Sequence, residues 1–133
     1  MSKYRNRKMV YDNITFASRL ECDFYITLCS AKKENKIKDF ELQPKFILQE
    51  KFSKHNKKYR EIAYIADFRV ITNDGKSHIV DCKGMETHDF KLKKKMYIYK
   101  FDEPLYCLTY IKKYGGWIEL DDYKKIKLRN KNK

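Results

Sequence analysis

The chain has 133 residues, 31 of them Lys or Arg and 18 Asp or Glu, for a formal net charge of +13. That length holds one hydrophobic core rather than two, and a content of 42% hydrophobic and 15% aromatic residues excludes an intrinsically disordered chain. So much positive charge on a small domain predicts a polyanionic partner, with nucleic acid first.

No run approaches the roughly 18 consecutive apolar residues of a spanning helix. The N-terminal stretch MSKYRNRKMVYD lacks the apolar segment of a signal peptide. The expected location is cytoplasmic, with no membrane partner. Cys22, Cys29, Cys82 and Cys107 show no C-x-x-C spacing, and in a reducing compartment they read as small apolar packing residues, not bridges or zinc ligands.

In chain order, KMVYDNITFA (residues 8–17) predicts a small hairpin around Asp12-Asn13 that covers one edge of the sheet. From Ser18 to about Ala31, Leu20, Phe24, Leu28 and Ala31 form a helical stripe, with Ser18 as N-cap and Glu21 at the capping-box spacing. A charged connector follows, then FELQPKFIL as a strand ended or bulged at Pro44. KFSKHNKKYR (51–60) is a basic loop or strand end. Residues 61–72 and 77–83 predict two strands joined through Asn73-Asp74-Gly75, the first apolar on both faces and so central in the sheet. DFKLKKKMYIYKF predicts a lysine-rich helix ending before Pro104, and LYCLTYIK a further strand. WIELDDYKKIKLRNKNK begins as a short strand or helix and ends as a basic tail. The whole is one α/β domain with a central mixed sheet flanked by helices: an N-terminal arm over 1–17, a core over 18–110 and a frayed tail over 124–133.

Asp67, Asp81 and Lys83 interrupt the two apolar runs, YIADFRVI and HIVDCK, although an unpaired buried charge costs several kcal/mol. Alternation puts Asp81 and Lys83 on one face about 6.6 Å apart. If Asn73-Asp74-Gly75 is a three-residue loop with Gly75 left-handed, Thr72 faces Lys76 and Asp67 falls opposite Asp81. A two-residue turn sends Asp67 to the other face. Two carboxylates so close raise one another's pKa unless a divalent cation lies between them. Magnesium, which prefers oxygen ligands and needs only one or two carboxylates, suits such a site; a lysine beside it can act on the attacking water. The structural alternative is a strand end with a weak surface ion pair, Asp67 capping a loop or pairing with Arg69 or Arg60.

IADF followed by IVDCKG resembles the PD-(D/E)xK nuclease signature, with Ala66 in place of the proline. Together with KYRNRKMVYDNITFASRLECDFY, ELQPKF and THDFKLKKKMY, residues 3–101 are similar to a phage and prophage family of Holliday-junction-resolvase-like endonucleases. The resemblance implies a restriction-endonuclease-like core, Mg2+-dependent (or Mn2+-dependent) cleavage of DNA, branched DNA above all, and a homodimer without organic cofactor. It implies metal-site roles for Glu21, Asp67 and Asp81 and a catalytic role for Lys83. It matches Gln43 to a glutamine that touches substrate or packs its strand. Lys54, Lys57, Lys58 and Arg60, with Lys91, Lys93, Lys94 and Lys95 on the second helix, are the candidate phosphate contacts. The competing reading is a non-catalytic basic nucleic-acid-binding module.

Overall fold

The computed structural model of the protein describes residues 8–131; residues 1–7 of the expected arm and 132–133 of the expected tail lie outside the described residues. β1 (Met9–Tyr11) and β2 (Ile14–Phe16) form the expected hairpin, turned at Asp12 and Asn13, both left-handed at φ 53° and 62°. Asp and Asn are the non-glycine residues that best tolerate that conformation. The hairpin is a separate two-stranded unit lying against α1 (Arg19–Lys33), not an extension of the main sheet. Its Tyr11 and Phe16 rings pack on Tyr25, whose hydroxyl donates to Asp12 Oδ2 at 3.1 Å. The cap of α1 is as expected: the Glu21 N–H donates to Ser18 Oγ at 3.1 Å.

Residues 39–71 then form one long bent ribbon. Its outgoing arm is β3 (Asp39–Leu42), β4 (Lys45–Gln49) and β5 (Phe52–Lys54). Its returning arm is β6 (Lys57–Tyr59), β7 (Ile62–Ile65) and β8 (Phe68–Ile71). Leu42 pairs with Phe68 and Lys45 with Ile65 in a single register, so Gln43 and Pro44 face Asp67 and Ala66 across a common break. The expected unbroken strand over 61–72 is therefore two strands. Pro44 has no N–H to give a ladder, and Gln43 sits at φ 50°, so the outgoing arm kinks and the returning arm must kink with it. The Gln43 N–H donates to Asp67 O at 2.9 Å and the Ala66 N–H to Pro44 O at 3.0 Å. A proline at position 66 would lose that second bond, which gives a local reason for alanine there.

Beyond the break lies the five-stranded sheet, completed by β9 (Ser77–Cys82), β10 (Leu105–Ile111) and β11 (Gly116–Glu119) in the order β11-β10-β9-β8-β3. β8 is an interior strand, as expected. β9 runs antiparallel to β8 and parallel to β10, and the crossover between β9 and β10 is α2 (His88–Lys100), capped by Thr87 Oγ1, which accepts from the Phe90 N–H at 3.1 Å. The residues expected to fray form α3 (Leu120–Lys131) instead. Leu120 anchors it in the core, and its acidic first turn (Asp121, Asp122) and basic last turn (Arg129, Lys131) complement the helix dipole.

Alternation along the strands divides the core in two. Phe68, Val70, Val80 and Cys82 face α1, meeting Phe24, Leu28 and Cys22, with Trp117 against Phe24 at 4.9 Å. Ile79 and Cys107 face Phe46, Tyr64, Phe90 and Tyr97 of the ribbon and α2. Burying one such side chain is worth roughly 1.5–3 kcal/mol. The cysteines are free and serve as packing residues, Cys22, Cys82 and Cys107 buried. No helix among the described residues is long and apolar enough to cross a membrane.

Candidate functional site

Thr72 faces Lys76, its N–H donating to Lys76 O at 2.9 Å, and Gly75 closes the loop at φ 84°. The three-residue loop sets the register Phe68 with Val80, so one step further Asp67 stands opposite Asp81. The break in the ribbon leaves the Asp67 N–H without a strand partner, and Asp81 Oδ1 accepts it at 2.9 Å. In return Asp67 Oδ2 accepts the Cys82 N–H, also at 2.9 Å. Asp81 is 1% exposed, and its second oxygen accepts the Tyr64 hydroxyl. The acids thus hold the junction of two sheets together, and Tyr64, which no motif in the sequence singles out, completes the arrangement.

Charge is crowded here. Burial first, then the neighbouring Asp81 charge, push the Asp67 carboxyl up to about 8, against the Cys82 N–H and Lys83, which lower it. Glu21, 5% exposed on the first turn of α1, is raised mainly by burial. A backbone N–H at Ala17 offsets this, while the charges of Asp81 and Lys83 pull it up and down respectively. Burial and the Asp81 carboxylate likewise raise the Tyr64 hydroxyl, which stays a donor.

Lys83 extends the β9–β10 pairing, its N–H donating to Leu108 O at 2.9 Å, and its ammonium lies 4.6 Å from the centre of the Phe90 ring. That cation–π contact fixes the side chain beside the acids; among the described residues Lys83 forms no ion pair.

Among the described residues no three His, Cys, Asp or Glu side chains converge closely enough to hold a metal. As packed, Glu21, Asp67 and Asp81 do not form the expected three-ligand set. The donor chemistry of Asp67 and Asp81 still fits a hard cation: both offer carboxylate oxygens with spare lone pairs, their mutual repulsion is what a divalent ion relieves, and magnesium takes most of its ligands from water and substrate.

Gln43 has an exposed side chain, and only its backbone meets Asp67. Lys54, Lys57, Lys58 and Arg60 lie on the fully exposed β5–β6 end of the ribbon. Lys91, Lys94 and Lys95 line an open groove of about 290 Å³ with Glu86 and Ile98. Lys94 is not free to take a phosphate: it meets Glu86 at 3.2 Å and Asp121 at 3.9 Å. Glu86 also receives Lys124 at 2.8 Å, and the two lysines hold its carboxyl below the usual range despite burial. Lys93 pairs with Asp89 at 3.7 Å.

The sequence profile of a family described as "Protein of unknown function (DUF1064)" matches residues 1–116, which contain every acid and lysine of this site. The chain belongs to that family. No curated protein matches it.

Proposed function

We propose that the chain is a divalent-metal-dependent DNA endonuclease of the PD-(D/E)xK kind, selective for branched DNA such as a Holliday junction. The observation that carries this is the meeting of Asp67 and Asp81, fourteen residues apart in sequence, at a strand break where Lys83 and Glu21 lie within electrostatic reach. Buried, mutually repelling carboxylates in a chain of net charge +13 are an arrangement that function, rather than stability, accounts for. The order α1, β3, β8, β9, α2, β10, with β10 parallel to β9, supports a restriction-endonuclease-like core.

In this reading Asp67 and Asp81 would hold Mg2+ or Mn2+, with Glu21 behind them. The ion would supply charge neutralisation at the scissile phosphate and acidify a bound water. Tyr64 orients Asp81 through its hydroxyl. Lys83, steadied over Phe90 as an ammonium, orients the attacking water and offsets charge building on the phosphate oxygens. Exposed lysines hold the DNA backbone without reading sequence, which suits recognition of shape, and paired incision of two strands would call for a homodimer.

One observation favours a non-catalytic binding module: Asp81 spends both oxygens, and Asp67 one, on donors of the protein itself. Incision of DNA by wild type and Lys83→Ala separates the two. A nuclease loses about 10²–10³-fold in rate with unchanged DNA affinity; a binding module incises with neither protein.

A further inference from the structure

The ribbon does not end at the protein surface. Beyond a one-residue bulge between Ile47 and Gln49 its pairing resumes as β5–β6, with Phe52 opposite Tyr59, Ser53 opposite Lys58 and Lys54 opposite Lys57, closed by left-handed His55 and Asn56. The β4–β7 part is anchored in the core through Phe46, Leu48 and Tyr64. Every residue from 49 to 61 is exposed.

A free two-stranded ribbon is marginal in water. This one is held by the stacked rings of Phe52 and Tyr59, 4.8 Å apart and inclined by 12°. Five of the ten residues 51–60 are Lys or Arg and none is acidic. None of the five makes an ion pair with a described residue. Such a density of like charge opposes its pairing with a second copy of itself and favours a polyanion.

We infer that the β5–β6 ribbon enters the major groove of a DNA duplex arm, away from the acid pair, with Lys54, Lys57 and Lys58 on the flanking phosphates. The major groove of B-DNA, about 12 Å wide and 8.5 Å deep, admits a two-stranded β-ribbon, and three residues of strand extend about 10 Å. From the kink at Pro44 to the turn at His55 the chain advances at most roughly 36 Å, about one turn of duplex. The ribbon therefore makes the substrate of the proposed nuclease one with a B-form arm reaching up to about a turn from the incised bond. Duplex RNA, whose major groove is deep and narrow, excludes it. The inference rests on the nuclease reading for its polyanion, but its test needs no cleavage.

The experiment is equilibrium binding in chelator, over a range of salt, to labelled duplex DNA, duplex RNA and single-stranded DNA of one sequence. Wild type is compared with Lys54→Ala/Lys57→Ala/Lys58→Ala, and with Lys33→Ala/Lys112→Ala/Lys113→Ala as a control of equal charge. At about 0.9 per phosphate, the ribbon variant is expected to lower the salt slope on duplex DNA by about 3 and to lose the preference for duplex DNA over the other two. The control is expected to keep both. Phe52→Ala, which removes the stacked pair and no charge, is expected to lose the preference and keep most of the slope. A ribbon variant with wild-type slope and preference overturns the ribbon and leaves the nuclease reading standing. Equal losses on all three ligands overturn the groove. A wild type that binds no DNA overturns both.

Discussion

Replacing Asp67 by Asn is expected to stabilise the metal-free protein while abolishing its chemistry. Asn keeps an oxygen to accept the Cys82 N–H and removes the charge that burial and Asp81 oppose. The Asp67 carboxyl sits at about 8 in the folded protein against an ordinary 3.8, so the native state holds a proton that the unfolded state releases. Its contribution therefore favours folding fully below about pH 4 and is lost as pH rises toward 8. The interval from 3.8 to pH 7, at about 1.4 kcal/mol per unit, makes the penalty about 4 kcal/mol at pH 7 and about 1 kcal/mol at pH 4.5. Urea unfolding in chelator, followed by Trp117 fluorescence at pH 4.5, 6 and 7, measures the stability difference between Asp67→Asn and wild type at each pH. The expected result is a gap that widens by about 3 kcal/mol over that range and narrows again with saturating Mg2+, which favours the ionised pair. A gap independent of pH, or an Asn variant less stable at pH 7 than wild type, would refute the reasoning about the acid pair.

Other perturbations test neighbouring parts of the structure. Tyr64→Phe, which deprives Asp81 of its hydroxyl donor, is expected to cost about 1–2 kcal/mol of stability by urea unfolding and to lower kcat with KM for DNA unchanged. Arg69→Ala strips a two-pronged partner from Glu103 and a second one from Glu41; unfolding at neutral pH should show a loss of roughly 2 kcal/mol, recovered in part when the glutamates are protonated. Phe24→Ala opens a hole between Phe68 and Trp117, with an expected loss of about 3–5 kcal/mol and a red shift of Trp117 emission.

How much of this was legible in the sequence varies with how local the determining residues are. The placement of Asp67 opposite Asp81 hung on Asn73-Asp74-Gly75, which the sequence allows as a two-residue or a three-residue turn; the chain takes the three-residue loop, with Gly75 left-handed, and the loop fixes the register. The cap at Ser18 was equally local. The division of the 61–72 strand was not, because the cause lies at Gln43-Pro44, more than twenty residues away, and acts only once the two arms pair. Tyr64 escaped for the same reason: its hydroxyl reaches Asp81 only around that bend. The ribbon tip was hidden because His55-Asn56 is a less usual left-handed turn than one with glycine. The final helix carries a signal of its own, acids in its first turn and bases in its last, but the same basic residues also fit a solvated tail. Pairing of Lys94 with Glu86, and the distance of Glu21 from a closed ligand set, belong to tertiary packing and have no signature in spacing.

The most direct test of the central claim is incision of a labelled four-way junction, beside linear duplex and single strand of the same sequence, with Mg2+ or with chelator, by wild type and Asp81→Asn. Paired, metal-dependent incisions in the junction that disappear in Asp81→Asn are the expected result. Tight binding with no incision in any metal, or incision undiminished by Asp81→Asn, would contradict it and leave Asp67 and Asp81 as structural charges at a strand break.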